Sequence, residues 1–171
     1  MYFQPSIDTF VITLFLGLLM LAAINDVAEY KIPNRINFAI AALYPAYVLA
    51  SPATVDWIGG LIVCATMLSI GVILFVFRRM GGGDVKMIAA TALWAGPMGI
   101  TDFVLFMVIT GGVMAVARLT FVRSSLALTF GHFTGIDDTD DNSQNPLPYG
   151  VAIATGGFAV GALLLGNGRI V

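Results

Sequence analysis

Residues 57–77 read WIGGLIVCATMLSIGVILFVF, a stretch with no charged side chain. A helix of that length, rising about 1.5 Å per residue, covers the roughly 30 Å of hydrocarbon in a bilayer. Further apolar runs of about 15 to 21 residues recur along the chain, long enough for the same task. They are continuous and do not alternate in polarity, which predicts helices and not barrel strands. The composition agrees: 58% of the 171 residues are hydrophobic and 11% charged, with a mean hydropathy of +0.93, outside the range of soluble domains. The expectation is an all-α, polytopic membrane protein forming a single domain over 1–171.

Six transmembrane helices are predicted, at 6–24, 36–50, 57–77, 85–96, 99–117 and 150–166. Pro33-Asn34, Ser51-Pro52, Gly81-Gly82-Gly83 and Gly96-Pro97 supply the breaks between them. Basic residues fix the orientation, because short loops rich in Lys and Arg stay cytoplasmic. Lys31, Arg35, Arg78, Arg79, Lys86, Arg118 and Arg123 fall on one side and Arg169 on the other. The N-terminus is therefore expected outside, with a long cytoplasmic loop at about 118–149. The first basic residue is Lys31, so the first run lacks the positive start of a secretory signal and is expected to be a retained helix. The segment RLTFVRSSLALTF continues the fifth helix or lies along the interface. Beyond it, Asp137, Asp138, Asp140, Asp141 and His132 are read as a solvated loop, since their spacing matches no calcium loop.

Several classes are excluded. One cysteine, Cys64, builds neither a disulfide framework nor a cysteine zinc site. A net charge of -2 with no basic stripe leaves nothing for nucleic acid to bind.

Of the ten acidic residues, two need an explanation. Asp26 follows an apolar run with only Asn25 as a polar spacer. Asp84 opens a helix so short, about 18 Å, that one of its ends must lie below the membrane surface. A carboxylate at that depth costs at least a few kcal/mol and by default marks a functional site. Two crossings separate Asp26 from Asp84, so both return to the same face. Two adjoining carboxyl groups hold one proton between them. The ionised member then removes a proton from water while the protonated one binds the carbonyl under attack. Peptide hydrolysis fits, and Gly81, Gly82 and Gly83 would allow a sharp turn and close approach of a substrate backbone. The alternative for Asp84 is an N-cap of its helix; for Asp26, a cap or a partner for Lys31 or Arg35.

Asp26 with Lys31-Ile32-Pro33-Asn34, then Gly81-Gly82-Gly83-Asp84-Val85-Lys86, then Pro148-Tyr149-Gly150-Val151-Ala152 resemble, in that order, the type IV prepilin peptidases, membrane aspartyl proteases with a Gly-x-Gly-Asp signature. The "IPN" and "PYGVA" segments look most like the short branch serving tight-adherence, Flp-type pili. The resemblance implies that Asp26 and Asp84 are the catalytic pair. It implies cleavage of prepilin or pseudopilin leader peptides at the cytoplasmic face of a bacterial inner membrane, without cofactor or metal. Its partners would be the substrate, the lipid bilayer and the pilus assembly machinery. Gly81, Gly82, Gly83, Lys86, Pro148 and Gly150 are the residues expected to shape the site or bind substrate. Longer members carry a methyltransferase region with paired cysteines; without such pairs, methylation of the product is expected to need another protein. The rival readings are a proton-coupled carrier or channel using the same acids, which predicts ion-dependent flux without cleavage, a non-catalytic subunit of a secretion machine, and, among enzymes, an archaeal-type preflagellin peptidase.

Overall fold

A computed structural model describes residues 7–52, 54–129 and 148–167. These form five helices: α1 (Ile7–Glu29), α2 (Asn34–Ala50), α3 (Trp57–Val76), α4 (Gly82–Thr129) and α5 (Tyr149–Asn167). Local chemistry sets most of their ends. Tyr30 closes α1 in the left-handed region, at φ 50, with its N–H on the Asp26 carbonyl at 2.9 Å. Pro33, extended at φ -62 and ψ 134, precedes α2. Asp56 caps α3 by accepting the Gly59 N–H at 2.8 Å.

The fourth and fifth predicted helices are one continuous element, α4, broken at Gly96 (φ 56, ψ -170) immediately before Pro97. Pro97 cannot donate to the helical ladder, and only glycine reaches that φ/ψ pair without strain. The first arm of α4, 82–95, thus runs away from the loop after α3, and the second returns through Thr129. Residues 118–129, expected either to extend the fifth helix or to lie on the interface, extend the helix. α1 runs five residues beyond its expected end, which puts Asp26 inside the last turn of a helix. The acids at 137–141 and His132 lie outside the described residues.

The first arm of α4 is the central rod. Every side chain from Met87 to Ala95 is buried, and its alanines, 89, 90, 92 and 95, let neighbouring helices approach closely. Trp94 stacks on Phe15 of α1 at 4.2 Å between ring centroids and 12° between planes. It meets Tyr44 of α2 edge-on at 5.7 Å and donates from Nε1 to the Ile40 carbonyl at 3.0 Å. Thr91, fully buried, returns its hydroxyl to the Met87 carbonyl at 2.8 Å. α5 lies antiparallel on α1: Gly157 faces Leu19 and Gly161 faces Leu16 with no space for a Cβ.

α3 stands at the periphery. Its buried residues are Gly60, against Tyr44 and the Leu93 carbonyl, and Gly71, against Val85. The rest presents large apolar side chains outward, Ile62 and Phe75 among them, as a lipid-facing helix does. Among the described residues, four segments are long and apolar enough to cross a membrane: Ile7–Glu29, Trp57–Val76, Gly82–Leu119 and Tyr149–Gly166. The 17 residues of α2 are shorter.

Candidate active site

The end of α1 and the beginnings of α2, α4 and α5 gather at one end of the bundle. Asp26, in the last full turn of α1, is 5% exposed. Its Oδ2 accepts the Gly150 N–H at 2.6 Å. That amide is among the first of α5, where helical donors have no partner in their own helix and the positive end of the macrodipole favours an anion. Residue 150 must be glycine for this contact, since a Cβ would sit 2.8 Å from both Cβ and Oδ2 of Asp26.

Asp84 is the third residue of α4 and half-buried. Gly81 is the cap: its carbonyl accepts the Val85 N–H at 3.1 Å, and its own N–H bonds back to the Asp84 carboxylate. Asp84 is thus not the N-cap residue but the third residue of the helix reaching back to one, half of a capping box. The carboxyl groups of Asp26 and Asp84 lie within electrostatic reach of each other. Sequence separation hides this, while the bundle brings both acids to one spot.

The three glycines do not make a left-handed turn: among the described glycines a positive φ occurs at Gly96 and not at 81, 82 or 83. Two of them sit close to a neighbour. A Cβ on Gly81 would lie 2.9 Å from Asp84 Oδ2, and one on Gly83 would lie 3.3 Å from Ile32 Cβ. Gly82 faces Phe75 at an easier 3.4 Å, and both Gly82 and Gly83 are inside the helix they were expected to precede.

Lys86 donates to Asn34 Oδ1 at 2.9 Å, tying the first turn of α4 to the first residue of α2. Pro148 accepts the Val151 N–H on its carbonyl at 3.2 Å and so begins α5. One residue at this end went unremarked in the sequence: Asn37, 5% exposed, whose Nδ2 donates to the Gly83 carbonyl at 3.1 Å. Its signal was an amide three positions after Asn34, on the same face of an otherwise apolar helix. Among the described residues, no three of His, Cys, Asp and Glu converge as metal ligands.

The arrangement holds two acids at one end of an apolar bundle, one tied to the amide of a neighbouring helix and one to the cap of its own. Such a pair can share a proton and activate water. Comparison with known proteins points the same way. A model of the type IV leader peptidase family matches residues 13–116. The chain is 28% identical, over 156 residues, to the prepilin leader peptidase/N-methyltransferase of Bacillus subtilis (strain 168). The match takes in 90% of this chain and 56% of that relative, so the chain spans little more than half its length. No solved structure matches.

Proposed function

The chain belongs to the type IV leader peptidase family, and on that premise we propose that it cuts the leader peptide of a prepilin with Asp26 and Asp84 as its catalytic pair. The observation carrying the proposal is that the two carboxyl groups lie within electrostatic reach of each other, one of them anchored on Gly150. In the reaction the ionised carboxylate takes a proton from water as its oxygen attacks the scissile carbonyl. The protonated carboxyl hydrogen-bonds the carbonyl oxygen, and the nitrogen of the breaking peptide bond leaves with a proton from the pair. Gly81, Gly82, Gly83, Lys86, Pro148 and Gly150 shape the surroundings of that pair.

The finer assignments rest on the sequence. The charge asymmetry of the loops supports a cytoplasmic site, an external N-terminus and multi-pass insertion in a bacterial inner membrane. Six crossings follow if α2 spans and α4 counts as two spans meeting at Gly96. The "IPN" and "PYGVA" segments support an Flp-type prepilin as substrate, with the pilus assembly machinery as a further partner.

Membranes containing the chain and a co-expressed prepilin provide the test. Asp26→Asn and Asp84→Asn are each expected to lower processing by about 10³-fold or more, and the double variant to add little, because the acids act as a unit. Full processing by either single variant overturns the assignment.

A further inference from the structure

Asn37 is a buried amide near the start of an apolar helix, and only one side of it is engaged by the described residues. Its Nδ2 is committed to the Gly83 carbonyl. That bond fixes the orientation of the amide, because the flipped form would set Oδ1 against a carbonyl oxygen. Oδ1 therefore points elsewhere, and no donor among the described residues reaches it. An unpaired amide oxygen in an apolar interior is costly, whereas a leucine of similar shape would leave no unpaired atom of its own. A buried polar atom of this kind calls for a use.

Its position suggests one. Gly83 is the residue immediately before Asp84, and Asn34, one turn earlier on the same face of α2, holds Lys86 two residues after it. α2 thus grips the start of α4 on both sides of the acid. A peptide brought to Asp84 carries main-chain N–H groups that leave water and need acceptors.

We propose that Asn37 is a substrate-binding residue whose free Oδ1 accepts a hydrogen bond from a main-chain N–H of a peptide laid along the Gly81–Gly83 segment, while its Nδ2 holds that segment in place. Ile32, packed on Gly83, is the side chain such a peptide displaces. The inference rests on the peptidase reading above.

The test uses the full chain in membranes and a series of synthetic prepilin peptides, each N-methylated at one backbone amide near the scissile bond. For Asn37→Leu, kcat/KM is expected to fall about tenfold, mostly through KM, the loss of one hydrogen bond. The thermal unfolding midpoint is expected to fall modestly, because the Nδ2 bond to the Gly83 carbonyl is lost as well, so the substrate role is read from the N-methyl comparison. One N-methyl group that costs the wild type about tenfold should cost Asn37→Leu under about twofold, because the bond it blocks is already gone. Asn37→Ala gives the same comparison if the leucine variant does not accumulate. Cleavage by the variant within about twofold of wild type, or identical N-methyl penalties in both proteins, overturns the inference alone. A folded wild type that cuts none of the peptides overturns the peptidase reading, and this inference with it.

Discussion

Gly150 and Asp26 are 124 positions apart, and the glycine contributes an amide and the absence of a side chain. Gly150→Ala keeps the amide but pushes a methyl group into Asp26. Displacing a reacting group by about 1 Å costs on the order of 10²-fold in rate. Processing by Gly150→Ala is therefore expected to fall by about that factor, with a lower unfolding midpoint as well, because the added methyl overpacks against Asp26 Cβ. A gel shift of the prepilin read beside a melting curve checks both; a rate close to wild type would show that Asp26 does not need this placement. Asp26 and Asp84 stood out in the sequence because a charge beside an apolar run is conspicuous. Gly150 stood out through the resemblance carried by Pro148-Tyr149-Gly150-Val151-Ala152. Asn37 did not, since its partner is a backbone carbonyl 46 residues away and its meaning depends on which helices touch. The run Gly81-Gly82-Gly83 suggested conformational freedom, but at 81 and 83 a Cβ would crowd Asp84 and Ile32, a property of neighbours that no local pattern records.

Among the elements, α4 depends most on a single backbone position. At φ 56 and ψ -170, Gly96 occupies a conformation open essentially to glycine alone. Gly96→Ala has room for its methyl, since nothing lies within 4 Å, so its effect isolates the backbone. A loss of about 1–3 kcal/mol is expected, seen as a lower unfolding midpoint in detergent. An unchanged midpoint would mean that the two arms meet by another route. The Gly-Pro pair made this break legible, and the apolar runs located the helices to within a few residues at most ends. What the sequence did not reveal is that the arm from 82 to 95 is the centre of the bundle: its alanines could equally have faced lipid, and they are buried in a rod whose Trp94 is packed on by Phe15 and Tyr44 of neighbouring helices.

For the molecule as a whole, the ends of the bundle are chemically distinct. Asp26, Asp84 and Gly150 sit at one end, and the loop between α2 and α3 sits at the other. The excess of Lys and Arg at the first end predicts that it faces the cytoplasm. In a Cys64→Ala background, Arg79→Cys is expected to react with a membrane-impermeant maleimide only in inverted vesicles, and Thr54→Cys only in intact cells. The reverse pattern would place the acids outside and remove the basis for cleavage at the cytoplasmic face.

The glycines at 60 and 71 are the buried positions of α3, while most of its other side chains turn outward. Evolution therefore has two rules to keep along this helix, smallness at those sites and oiliness elsewhere. Across distant relatives its spelling should drift more freely than that of the rod it leans on, with one greasy letter traded for another at little penalty.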